Sequence, residues 1–225
     1  MTVLVAGGTG ALGGAVVREL LDSGRRCAVT WIVDRERERT EAELGGRVQL
    51  VKADLFDPAS AAEAVGSAGD LEAIVNLVGG FAMGPLVHET EPEDFDRLMR
   101  LNLTPAFNLA RAGIPPMIER GGGAFVGVSA RAALRPFAGA AGYVTSKAAV
   151  LAFIQALDAE YKKHGIRCNA ILPSTIDTPA NRAAEPDADH SKWVPPEEIA
   201  RVVRFLVSDD SAPTSGAAVP VYGRA

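Results

Sequence analysis

Seven short apolar runs recur along the chain, at residues 3–5, 27–33, 48–52, 73–77, 124–129, 167–172 and 217–221. Within them aliphatic and β-branched residues follow one another with few polar breaks, as in VLV, CAVTWIV and AIVNL. A strand with one face in water alternates apolar and polar residues. Near-continuous runs read instead as strands covered on both faces, the signature of a parallel sheet between helices. Longer segments with helical spacing separate the runs, at 14–23, 59–65, 93–112, 143–164 and 196–206. This alternation predicts an α/β fold: a doubly wound parallel sheet of about seven strands, joined by right-handed crossovers, with helices on both faces. No linker rich in proline, glycine or serine divides it, so residues 1–225 read as one domain.

Composition excludes several classes. With 48% hydrophobic and 23% charged residues the chain can bury a large core and does not read as disordered. Its formal net charge is −5, and it lacks the clustered lysine and arginine that phosphate backbones require, so nucleic acid is not an expected partner. The RERER stretch at 35–39 alternates in sign and reads as the solvated start of a helix. Cys27 and Cys168 lie far apart, show no metal-ligand spacing and read as core thiols. The N-terminus has no signal-peptide pattern, and no apolar run reaches the ~18 residues of a membrane span, so a cytoplasmic protein without a membrane partner is expected.

The glycines narrow the function. AGGTGALGG, residues 6–14, sits where the first strand turns into the first helix. Backbone N–H groups and the helix dipole favour an anion at such a turn. Gly8-x-Gly10-x-x-Gly13 fits the dinucleotide fingerprint, with glycines for the tight turn, for the approach of a pyrophosphate and for close helix packing. The sheet is therefore expected to be Rossmann-like.

A second signal opens the long helix. In YVTSK, Tyr143 and Lys147 are four residues apart and share a helical face. A lysine ammonium near the phenol favours phenolate and predicts a lowered tyrosine pKa, making Tyr143 a usable acid or base. Ser129 ends the fifth run, at the carboxyl edge where open α/β sheets bind ligands. Asn102 lies in the preceding helix, three residues before Pro105, which removes a helical N–H.

The glycine turn, Asn76-Leu-Val-Gly79, Asn102, Ser129, the Tyr143/Lys147 pair and Pro173-Ser-Thr-Ile-Asp-Thr178 fall in an order that resembles the short-chain dehydrogenase/reductase family over essentially the whole chain. Within it, GGTGALGG, IDTPANR (176–182) and PDADHSKW (186–193) look most like the dihydropteridine reductase branch and its bacterial members. The resemblance implies that Tyr143 exchanges a proton with the substrate oxygen and Ser129 orients that oxygen. Lys147 would hold the nicotinamide ribose, and Asn102 would anchor a water in a proton relay. The implied cofactor set comprises Gly7, Thr9, Gly10, Leu12 and Gly13 in the turn, then Trp31, Asp34 and Arg35 after the second strand. It continues with Asp54 and Leu55, with Asn76 and Gly79, with Tyr143 and Lys147, and with Pro173, Ile176 and Thr178, the last two holding the carboxamide. No metal is implied.

Departures from the pattern shape the finer expectations. Ala6 and Ala11 replace the usual threonine and glycine of the turn, and Ser174 replaces the glycine that normally follows Pro173. Dihydropteridine reductase typically lacks the catalytic serine that Ser129 supplies here, which ranks a general carbonyl substrate above a pterin-type C=N substrate. At the end of the second strand the acid that binds both ribose hydroxyls is missing. Trp31 stands there with Arg35 near, which tilts the expectation from NAD(H) towards NADP(H); Asp34 curling back would reverse it. Phe81, Arg131, Arg182 and Trp193, with Met83 and Leu134, are candidate substrate contacts, and their mixed character suggests a partly anionic or phenolic small molecule. Residues 179–193 are expected to be a mobile lid, because their polar, proline-punctuated sequence has little to bury. A homodimer or homotetramer pairing through the two long helices is expected. The reading is an NAD(P)-dependent oxidoreductase of a carbonyl or alcohol. The alternatives are C=N reduction, a non-redox isomerase or dehydratase, and a dinucleotide sensor on the same fold.

Overall fold

The computed structural model describes residues 1–224. Seven strands, β1 (Thr2–Ala6), β2 (Arg26–Trp31), β3 (Val48–Lys52), β4 (Leu71–Asn76), β5 (Gly123–Val128), β6 (Ile166–Pro173) and β7 (Ala218–Val221), form one sheet in the order β3-β2-β1-β4-β5-β6-β7. Every pairing is parallel. Seven helices alternate with them: α1 (Ala11–Asp22), α2 (Asp34–Leu44), α3 (Pro58–Ser67), α4 (Pro92–Arg120), α5 (Ala141–Tyr161), α6 (Pro179–Ala184) and α7 (Pro196–Val207). This is a Rossmann-like doubly wound sheet.

The unbroken apolar runs hide a period of two. Leu4, Ala6, Ile74, Phe125, Cys168 and Leu172 face α3, α4 and α5, packing on Leu109, Met117 and Ile154. Val3, Val5, Val29, Val75, Val126 and Ile171 face the other way, onto Val17 and Leu20 of α1 and Ile199, Val203 and Leu206 of α7. Both strand faces are dry, so neither needs a polar residue. Cys27 and Cys168 are buried, and burial pushes both thiols up to about 12, which keeps them protonated and inert.

Several boundaries differ from the sequence reading, three of them with a clear physical cause. The second strand stops at Trp31, because Ile32 and Val33 are exposed and turn the chain into α2, of which only Thr40 and Leu44 are buried. The first helix starts at Ala11 and contains Gly13 and Gly14. Helix α4 runs past residue 112 to Arg120 despite Pro105, Pro115 and Pro116, and ends on Gly121 in the left-handed conformation (φ 94°). Each proline forfeits one internal hydrogen bond. Burial of Ile114 and Met117 against the sheet carries the helix through.

Because all strands run the same way, the chain leaves β1 through β6 at one edge. The order reverses between β1 and β4, which opens a cleft between the loops that follow them, the usual ligand position in such sheets.

Candidate active site

The glycine turn forms one wall of this cleft. Gly7 adopts φ 74°, and its N–H donates to the Thr30 hydroxyl at 3.3 Å. A Cβ on Gly13 would lie 2.2 Å from the Gly7 carbonyl oxygen, so only glycine lets α1 approach its own entry turn. Gly10 precedes α1 without a side-chain cap, and the first turn of the helix carries no acidic residue. Its N–H groups and dipole therefore remain available to a phosphate. This backbone cradle fits a dinucleotide pyrophosphate.

Around the turn the charged residues sort differently from the sequence reading. Asp34 does not curl back; it opens α2 and pairs with Arg37 at 4.0 Å, and Arg35 is exposed. Glu36 accepts a 2.8 Å hydrogen bond from the Thr9 hydroxyl, and Arg39 donates to the Thr9 carbonyl oxygen. Neither residue was anticipated. They sit three and six residues past Val33, about one and two helical turns, a spacing invisible until the strand end is known. The Trp31 ring lies beneath two cations, Arg37 at 5.5 Å and Lys52 at 5.3 Å. After β3, Asp54 closes an Asx turn onto the Phe56 N–H at 2.9 Å, and Leu55 is buried while its carbonyl accepts from Asn108.

Opposite the turn, β4 ends on buried Asn76, whose side chain accepts from the Val78 N–H at 3.2 Å. The backbone then crosses Gly79, where a Cβ would lie 2.5 Å from Asn102 Oδ1 and 3.0 Å from Lys147 Nζ. Gly79 is thus the point at which the loop, α4 and α5 meet. Asn102 is 1% exposed and its amide is fully engaged. Its Oδ1 accepts from Gly80 N–H at 3.0 Å, and its Nδ2 donates to Gly80 O, Leu98 O and Ser146 Oγ. The expected water anchor is, in this arrangement, a clamp joining three elements.

Ser129, one residue past β5, is buried, and its hydroxyl donates to the Lys147 carbonyl at 2.7 Å. Lys147 Nζ donates to Val128 O at 3.1 Å and lies 6.0 Å from the centre of the Tyr143 ring. Burial alone pushes the Lys147 ammonium down to about 8. Burial likewise pushes the Tyr143 phenol up to about 12, which corrects the lowered value expected from the Tyr/Lys spacing. Desolvation disfavours the phenolate more than a lysine at this distance favours it. At neutral pH Tyr143 therefore holds its proton. The Phe81 ring meets Tyr143 edge-on, 4.9 Å between centroids.

The β6 side closes the cleft. Ser174, where glycine was expected, donates from its hydroxyl to Tyr222 O at 2.9 Å and from its N–H to Val221 O, tying the segment after Pro173 to the C-terminal one. Arg131 stacks over the Tyr222 ring at 5.1 Å. Ile176 bridges to Val194, and Thr178 caps α6 by accepting from the Asn181 N–H. Residues 179–193 are more structured than a bare loop: α6 and a 3-10 turn at His190–Lys192 shape them. Trp193, a candidate substrate contact, is buried under the His190 ring at 4.3 Å. Arg182, expected on a substrate anion, instead grips Asp177 with two bonds, one of 2.7 Å, and these hold the Asp177 carboxyl below its usual range. Its charge is already matched.

Comparison with known proteins agrees with this architecture. The short chain dehydrogenase family matches residues 1–189. The chain is 30% identical to 2-(R)-hydroxypropyl-CoM dehydrogenase of Xanthobacter autotrophicus, over 98% of this chain and 96% of that protein. It is 33% identical to 3-beta-hydroxysteroid dehydrogenase of Comamonas testosteroni, over 95% and 91%. A short-chain type dehydrogenase/reductase from Mycobacterium ulcerans superposes with a TM-score of 0.93 at 25% identity, over 99% of this chain and 88% of that one. The chain belongs to the short-chain dehydrogenase/reductase family. It is an oxidoreductase of the NAD(P)-dependent class, and no helix among the described residues is long and apolar enough to cross a membrane.

Proposed function

We propose that the protein interconverts a small ketone and its secondary alcohol, with Tyr143 as the general acid in the reducing direction. The observation that carries this reading is Tyr143 itself: a half-buried phenol that keeps its proton at neutral pH, beside Lys147 and against the Phe81 ring. Ser129 would orient the substrate oxygen and Lys147 the nicotinamide ribose. The nicotinamide, when bound, supplies or accepts the hydride. The Gly7–Gly13 turn would hold the pyrophosphate, and Thr178 and Ile176 the carboxamide end. Alcohol dehydrogenation in the names of both curated relatives supports this chemistry over C=N reduction or isomerisation.

For the cofactor, NADP(H) is the better-supported form. Arg37 and Lys52 lie over the Trp31 ring at the end of β2, Arg39 reaches the Thr9 carbonyl and Arg35 stands exposed at the start of α2, while Asp34 is paired with Arg37 and Glu36 is taken by Thr9. Glu36 released from Thr9 would favour NAD(H) instead. The 179–193 segment would act as a lid hinged at Thr178 and Trp193. Phe107, half exposed on α4 beside Phe153 of α5 at 6.1 Å, supports pairing of two copies through these helices. The deciding experiment follows oxidation of NADPH and NADH in parallel across a panel of ketones and imines. Turnover of a ketone, lost in Tyr143→Phe, supports the reading. Turnover confined to imines, or none with any carbonyl, overturns it.

A further inference from the structure

Six of the twelve large hydrophobic side chains that stand exposed among the described residues belong to two loops beside Tyr143. Phe81, Met83, Leu86 and Val87 follow β4, and Leu134 and Phe137 follow β5. Val87 is 71% exposed and Phe81 58%. Contiguous apolar surface of this kind marks a ligand or partner site. The loops are joined: Gly84 N–H donates to Gly139 O at 2.9 Å, and a Cβ on Gly139 would lie 3.7 Å from Met83 Cε. Phe81 connects them to the reacting group through its edge-on contact with Tyr143. The exposed apolar residues of the first loop thus begin at the phenol with Phe81 and recur at Met83, Leu86 and Val87 along the chain.

Most charges near this wall have partners; Arg135, exposed between Leu134 and Phe137, is the exception that the test below addresses. Arg182 is matched by Asp177, Arg131 lies on the Tyr222 ring, and in the cleft behind Met83, also lined by Pro85, Phe95 and Leu98, Asp94 and Arg97 pair at 3.0 Å. We infer that the substrate carries its carbonyl on an extended, uncharged apolar group, an alkyl or aryl ketone or the matching secondary alcohol, and that the 81–87 and 134–137 loops hold that group. This replaces the partly anionic or phenolic substrate expected from the arginines, and it rests on the oxidoreductase reading above. In that reaction the carbonyl carbon receives a hydride, and its electron pair, from reduced nicotinamide. The oxygen takes the Tyr143 proton, the products are the alcohol and oxidised cofactor, and Tyr143 is reprotonated from solvent.

The test uses a homologous series of methyl ketones of increasing chain length, each paired with its ω-carboxylate. The binding of the corresponding non-reducible amides is measured by calorimetry on the cofactor-loaded protein. For the ketones, kcat/KM should rise by about fourfold per methylene until the wall is filled, the fold-change of one buried CH2. The carboxylates should fall at least ~10-fold below their uncharged partners, and amide Kd should follow the same slope. In Met83→Ser/Phe137→Ser, both exposed and separate from the core, that slope should flatten. A flat slope in the wild-type protein, or preference for the carboxylates through Arg135, overturns the inference. So does a double variant that loses self-association while keeping the slope. Chain-length-dependent amide binding without turnover of any ketone supports the apolar site and defeats the oxidoreductase reading, so the two fail separately.

Discussion

Between Gly7 and Gly13 the cleft is walled by backbone, and between Phe81 and Val87 it is walled by exposed apolar side chains. The first wall is held from all sides: Gly13 against Gly7, Gly7 on Thr30, Thr9 between Glu36 and Arg39. The second is tied to the fold at few points, chiefly the Gly84–Gly139 bond and Phe81 on Tyr143. A backbone cradle recognises what every dinucleotide shares. A side-chain wall recognises what is particular to one substrate, and its residues are exchangeable without disturbing the core. Tyr143 touches the second wall through Phe81, and the proposed reaction would join the two walls there.

The contrast can be broken by substitution. The largest effect is expected at the junction. Tyr143→Phe removes the proton and keeps the ring, so kcat should fall at least ~10²-fold with cofactor Kd unchanged; near-normal turnover would end the proposed role of Tyr143. On the backbone wall, Gly13→Ala places a methyl group 2.2 Å from the Gly7 carbonyl oxygen. It should destabilise the fold by about 1–3 kcal/mol, the range for overpacking, and weaken the dinucleotide as well. Urea unfolding and cofactor titration read the two effects separately. Asn102→Ala leaves the Gly80 N–H without its partner and should destabilise by a similar ~1–3 kcal/mol.

Lys147 sharpens the comparison through pH. Its folded pKa is about 8 against an ordinary 10.5. Between those values the unfolded lysine keeps a proton that the folded one has shed, so the contribution of Lys147 to stability should rise with pH across that window, opposed above pH 9.0 by Cys27 and Cys168, whose buried thiols keep protons that the unfolded chain sheds. Lys147→Met should lack this rise, as read from urea midpoints at pH 7.5 and pH 10. An identical pH slope in both proteins would mean that Lys147 is not charged at a penalty in the folded state. The smallest effect belongs to the side-chain wall: Met83→Ser should leave stability within about 0.5 kcal/mol while altering substrate preference.

Much of the fold was legible because its signals are local. The apolar runs locate the strands, and those of β1, β4, β5 and β6 are buried on both sides, although Ile32 and Val33 continue one run past its strand into water. The glycine turn is legible because positive φ and close approach admit no other residue, as Gly7 and Gly13 illustrate. Helix α4 was read short because prolines argue against a helix, and only packing on the sheet outweighs them. Arg182 was read as an anion contact, and its pairing with Asp177 five residues earlier depends on the turn between them, which spacing alone does not show.

The sequence by itself determined the layer architecture, the dinucleotide turn and the Tyr143/Lys147 pair, because each depends on spacing within a few residues. Only the tertiary structure decided what surrounds those groups. It put Asn102 at the meeting of three elements, brought Glu36 and Arg39 to Thr9, and tied Ser174 to Tyr222. It also raised the phenol that spacing alone would lower. The physical reason is that protonation and charge pairing depend on burial and on partners distant in the chain, whereas turns and strands depend mainly on the residues that form them.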